Sequence, residues 1–232
     1  MANEMDKALA GIMSLLDRVK FLTQQAQYDP ALRFLRQAID RLVALLAEIE
    51  ARTEPPSETL RQSQSRVAHQ LADCYGRQGG ILRRQERWDE AIASYEAGCQ
   101  LEQNPKYEIV DSYNLTNSLV LALLAHPERF AELQPSLENA RRVVEAQVRN
   151  PPRRSQWWAW ADLGLLSLLS GQPEAARGAY QNVERNGAQK AHFDSIVGLL
   201  RQCQERLSSA DANLAANLSQ TIEALGAATT TA

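Results

Sequence analysis

The chain has 232 residues, 44% of them hydrophobic and 23% charged, with a formal net charge of −3; this is an ordinary globular composition, with no overall basic field to draw it to nucleic acid or acidic membranes. Three scattered cysteines, Cys74, Cys99 and Cys203, include no CxxC pair, so neither a zinc site nor a disulfide framework is supported; reduced thiols, two of them in helix cores, are the expectation. The apolar runs, such as residues 119–125 and 163–169, fall far short of a membrane span, and the polar N-terminus is no secretory signal, so a cytoplasmic protein is expected.

Residues 3–27 carry Met5, Leu9, Ile12, Leu16 and Val19 at steps of four and three, one face of a helix. Tyr28-Asp29-Pro30 breaks the pattern, with Asp29 placed to cap the next helix and Pro30 suited to its first position. Leu32, Leu35, Ile39, Leu42, Leu46 and Ile49 form a second stripe. Two such stripes joined by a short loop predict an antiparallel hairpin; a dimer seam is the alternative. Residues 53–56, Thr-Glu-Pro-Pro, read as a linker, and Ser57 as the cap of a long helix running to about Gln85. Further helices are expected at 88–103, 110–124 and 137–149, with an insertion interrupted by Pro135 around 129–136. A hairpin of 154–170 and 174–185 follows, split by Gly171-Gln172-Pro173. Phe193, Ile196, Leu199, Leu200, Cys203 and Leu207 mark an amphipathic helix suited to capping an open end. Residues 211–225 read as a weak final helix and 226–232 as a disordered tail.

One pattern occurs twice. Trp160-x2-Leu163-Gly164 is followed by Gly171, Ala176 and Tyr180, and an earlier stretch carries Tyr75, Gly79, Leu82, Trp88, Asp89, Glu90, Ala91 and Tyr95. Small residues at these places let two helices approach, and large ones fill the neighbouring groove. Residues 72–105 and 157–188 thereby resemble tetratricopeptide (TPR) repeats. Alanines 31, 91, 140 and 176 are the expected small positions of four second helices, spaced too irregularly for a consensus array. Tyr28, Asp29, Ala31, Leu35 and Ala38 suggest that the first hairpin is itself a degenerate repeat. The fold class expected is all-α: an irregular TPR-like helical-hairpin solenoid with an N-terminal hairpin at 1–56, repeats and a capping helix at 57–207, and a weak helix and tail at 208–232. More faintly, Gly79-Gly80-x2-Arg83-Arg84, the run 107–117 and the run 156–163 look similar to sensor-type TPR domains of bacterial conflict systems and to the regulatory region of ASK-type kinases.

TPR resemblance implies interaction rather than chemistry. First-helix positions line the concave face in such repeats, which gives Asp73, Arg83, Arg84, Asp111, Asn114, Ser118 and Trp158 as candidate partner-binding residues. The arginines can fork onto a carboxylate or phosphate, and Trp158 offers a flat face. Asn114 is expected as a groove ligand and Asn117 as a buried structural amide. His69, His126 and His192 have no ligand spacing, and no GxxxxGK[ST], GxSxG or HExxH occurs, so catalysis, cofactors and metals find no support. Arginine groups at 83, 84 and 87 and at 141, 142, 149, 153 and 154 are local and interrupted by acids, a weak case for nucleic acid. The reading is a non-catalytic adaptor that binds a peptide or helix of another protein, an effector encoded nearby being one candidate. A sensor for an anionic, nucleotide-like small molecule in prokaryotic signalling or defence is the alternative.

Overall fold

The computed structural model describes residues 2–52 and 57–228. The expected linker at 53–56 and residues 229–232 of the expected tail lie outside them. The chain divides into two compact units, Met1–Ile109 and Val110–Ala232, and within the described residues every regular element is helical.

The first unit holds α1 (Ala2–Gln24), α2 (Tyr28–Glu50), α3 (Glu58–Arg84), α4 (Trp88–Glu102) and a 3-10 turn, Pro105–Tyr107. Each helix packs on the next. The two stripes read from sequence face inward, with Ile12, Leu16 and Val19 of α1 and Leu35, Leu42 and Leu46 of α2 all buried. The long α3 lies against both α2 and α4, so its extra turns join the N-terminal hairpin to the repeat. Glu50 at the end of α2 clasps this junction: its Oε1 accepts from Lys106 Nζ (2.8 Å), Tyr107 Oη (2.9 Å) and Gln64 Nε2 (3.1 Å). The Lys106 bond in particular holds the Glu50 carboxyl below the usual carboxylate range. Ser57 caps α3 as expected, its Oγ accepting from the Leu60 amide. Asp29 does not cap α2. The helix begins two residues before the expected first position, at Tyr28, and Asp29 in its first turn accepts from Gln85 Nε2 at the C-terminal end of α3 (2.9 Å).

Three hairpins share one turn. Ala26, Glu86 and Gly171 each stand two residues before a second helix, with φ of 55°, 59° and 71°. The amide that follows each reaches back five residues: Gln27 to Leu22 O, Arg87 to Leu82 O, and Gln172 to Ser167 O. A left-handed residue with this back-bond is the Schellman way of closing a helix C-terminus. The α1–α2 hairpin thus has the same corner as the two hairpins that carry the full repeat pattern.

The packing inside those two hairpins is also the same. A Cβ on Gly79 would lie 2.8 Å from the Tyr95 ring, and one on Gly164 would lie 2.7 Å from the Tyr180 ring. The second-helix alanines Ala31, Ala91, Ala140 and Ala176 are all fully buried. Gly164→Ala forces the tyrosine ring aside. Overpacking of this kind costs about 1–3 kcal/mol, against about 1 kcal/mol of helix propensity gained. Gly178→Ala, in a helix where a Cβ meets nothing within 4 Å, keeps the gain alone. Urea unfolding should therefore move the two variants in opposite directions; a Gly164→Ala midpoint at or above the native one would show that the close approach does not constrain the hairpin.

The second unit holds α5 (Tyr113–Ala125), α6 (Phe130–Val148), α7 (Trp157–Leu169), α8 (Pro173–Arg185), α9 (Lys190–Leu207) and α10 (Ala212–Ala228), with 3-10 turns at Pro127–Arg129 and Arg153–Ser155. α6 packs on α5 and α7, and α7 on α8. α9 pairs with α10, and the two also touch α5 and α7 respectively. Two expectations change here. The insertion at 129–136 is helical from Phe130, with Pro135 inside α6. A proline in the second turn removes a single backbone bond, and Gln134 Nε2 donates to Leu169 O (3.0 Å), holding that turn against α7. The final helix is a docked element: Asp211 Oδ1 accepts from the amides of Asn213 and Leu214, Leu214, Leu218 and Leu225 are buried, and Gln204 Nε2 donates to Ser219 Oγ (2.7 Å). It continues through Gly226 to Ala228, residues assigned from sequence to the tail.

Candidate functional site

The residues expected to line one groove fall in both units. On α3, Asp73 and Arg84 are exposed and Arg83 is half-buried; Arg84 Nη1 donates to Gly80 O (3.2 Å). In the second unit Trp158 is 42% exposed at the start of α7, set edge-on to Trp157, which stacks on His192 at 4.2 Å. Asn114 and Ser118 are placed differently from the expectation. They are 1% and 7% exposed, and the Ser118 hydroxyl donates to Leu115 O within its own helix. α6, α7 and α9 all pack on α5, which leaves that short, apolar helix little free surface. The burial of the two asparagines is the reverse of that expected: Asn117 is the half-exposed one, its Nδ2 donating to Tyr113 O (2.7 Å).

Asp111 belongs to a buried ionic node. Its Oδ1 accepts from the amides of Ser112 (2.6 Å) and Tyr113 (3.0 Å), closing the start of α5, and also from Arg153 Nη1 (3.1 Å). Arg153 is 1% exposed. The same Nη1 donates to Gln156 Oε1, and Nη2 donates to Ser112 Oγ. That hydroxyl in turn donates to Asp162 Oδ2 (3.0 Å), on α7, which lies 4.0 Å from Nη2. Gln147 Nε2 of α6 donates to the Asp111 carbonyl. One cation and two carboxylates thus join α5, α6, the 153–155 turn and α7. The sequence reading placed Arg153 among surface arginines. Arg141 pairs with Glu138 and Glu145, Arg142 with Glu138, and Arg149 with Glu145, each one turn away, whereas neither Arg153 nor Arg154 has an acid at that spacing, so no local signal separates the buried Arg153 from the exposed Arg154. These pairings remove most of the basic group that had raised nucleic acid.

A groove of about 460 Å³ opens between α8 and α10. Tyr180, Phe193 and Leu225 form its apolar floor. Pro173, Arg177, Gln181 and Glu184 follow one edge of α8, while Asn217, Thr221 and Ala224 follow one edge of α10. At ~1.5 Å per residue these rails are roughly 10–17 Å long, two to three helical turns. Sequence periodicity marks both helices but not the gap between them.

Little here supports covalent chemistry. Burial pushes the thiols of Cys74, Cys99 and Cys203 up to about 12, so they are protonated at neutral pH. Among the described residues no three His, Cys, Asp or Glu side chains are grouped to hold a metal ion.

The hairpins and their shared corners define an all-α protein of TPR-like helical repeats. No family model and no curated protein matches the chain. Among solved structures it is similar to that of Pseudomonas aeruginosa pilF, described as a functional characterization, at 20% identity over 96% of this chain and 93% of that one, with a TM-score of 0.38. The fold class rests on the packing of the hairpins themselves.

Proposed function

We propose that the chain is a non-catalytic interaction module whose α8–α10 groove takes a short helix or peptide of a partner protein. The observation that carries this reading is an apolar floor between two polar rails that are two to three turns long. Such a trough suits an amphipathic helix that presents apolar anchors at positions i and i+3 or i+4. Glu184 at one end of the α8 rail favours a basic residue on the partner there. Asp73, Arg83, Arg84 and Trp158 remain accessible for wider contact. A regulatory role fits a module of this kind, and an effector encoded nearby is the first partner to try.

The test places a photo-crosslinking residue at Gln220, which lines the groove from α10, in the full-length protein and maps the partner segment it captures. That segment, made as a peptide, should bind the native protein and lose at least about tenfold in affinity to Ala224→Trp, which fills the groove. Ala224 is exposed, so the helical circular dichroism should not change. Equal affinity for both proteins would remove the groove from the reading.

A further inference from the structure

We propose that a second cleft, on the other side of α8, binds a small oxyanion carried on a planar ring. It has a volume of about 370 Å³ and lies between the 151–155 turn and the C-terminal end of α8. Trp160, Arg154, Arg185, Asn182 and Asn186 supply its chemistry.

Charge is the first argument. Several surface arginines of this unit are neutralised by an acid one turn away, as in Arg129 with Glu132 and Arg177 with Glu174. Arg154 and Arg185 are exposed, and neither guanidinium has a partner among the described residues. No acid lines the cleft, and Glu184, next to Arg185 in sequence, faces the α8–α10 groove instead. Two unpaired forks on one small cleft repel each other until an anion is shared between them, and a guanidinium matches a carboxylate or phosphate edge with two donors.

The ring is the second argument. The Trp160 Nε1–H donates to Arg154 O (2.8 Å), which fixes the indole and the turn that carries Arg154. The half-buried indole therefore presents surface to the cleft with its own donor already satisfied. Asn182 and Asn186 each use one amide hydrogen on a carbonyl four residues back (2.9 and 2.7 Å). Each keeps an oxygen acceptor and a second N–H for the edge of a heterocycle. Size is the third argument. The volume falls in the ~300–1,000 Å³ range of small-molecule sites, and it suits one mononucleotide-sized molecule rather than a helix or a duplex.

Isothermal titration and thermal unfolding of the full-length protein test this with adenosine 5′-monophosphate, benzoate, adenosine and inorganic phosphate. At least one of the two ring-bearing anions should bind saturably and raise the melting temperature. Adenosine and inorganic phosphate should bind at least roughly tenfold more weakly than that anion. The Arg154→Ala/Arg185→Ala variant should lose the response, while Arg201→Ala, which removes an equally unpaired arginine outside the cleft, keeps it. Ala224→Trp, which blocks the groove, should also keep it, so the two sites fail independently. No binding of either ring-bearing anion at millimolar concentration, unchanged binding in the double variant, or inorganic phosphate equal to the best ring-bearing anion would overturn the proposal.

Discussion

Arg153→Ala should cost on the order of 3–5 kcal/mol, the penalty for breaking a buried ion pair from one side. The side chain is 1% exposed, and its removal leaves the half-buried carboxylates of Asp111 and Asp162 without their cation, with the Ser112 hydroxyl left bonded to Asp162 alone. A domain of this size loses roughly 2–4 °C of melting temperature per kcal/mol, so a fall of about 6–20 °C is expected. Replacing the node as a whole, with Arg153→Met, Asp111→Asn and Asp162→Asn together, should be milder than the single change, because no carboxylate is then left uncompensated. Asn at 111 also keeps an oxygen for the amides at the start of α5. Thermal and urea unfolding of both proteins check this. A single variant within about 1 kcal/mol of native, as for a surface pair, would mean that water reaches the node.

The parts of the structure legible in sequence are those fixed by neighbours in the chain. Leu35, Leu42 and Leu46 recur at helical period, and Gly79 with Tyr95 and Gly164 with Tyr180 sit sixteen residues apart, the span of one hairpin. Local period and a short turn suffice to bring such residues together. What escaped depends on contacts between distant helices. Asn114 reads as a groove residue by repeat register, yet α5 is covered by three other helices of its unit. Arg153 looks like any surface arginine until the start of α5 is placed beside the 153–155 turn. Pro135 reads as a helix breaker, but α7 supplies the contact that keeps its turn helical. The weak periodicity of α10 gains Leu214, Leu218 and Leu225 as core only because α9 and α7 are there to receive them. Both candidate clefts are spaces between helices, and no stripe on a single helix records a space.

Removing residues 1–55 should leave a protein that aggregates or unfolds without cooperativity. The apolar stripes of α1 and α2 are already buried within the chain, and the exposed large apolar side chains of this hairpin, Met13, Phe21 and Val43, are scattered singles rather than a seam. α2 follows α3 along much of its length: Glu50 accepts from Gln64 near one end, and Asp29 from Gln85 just past the other. Truncation removes both bonds, frees Lys106 and Tyr107 from Glu50, and bares buried positions of α3 such as Val67 and Leu71. Each fully buried aliphatic side chain contributes about 1.5–3 kcal/mol, so losing several exceeds much of a typical total stability of ~5–15 kcal/mol. The shared Schellman corner points the same way, since a repeat stacked on its neighbour is part of one folded unit and not a detachable arm. If the stripes instead served a second copy of the chain, the native protein would run as a dimer in light scattering and the 56–232 fragment as a soluble monomer with a sharp unfolding transition. That pair of results would overturn the intrachain assignment.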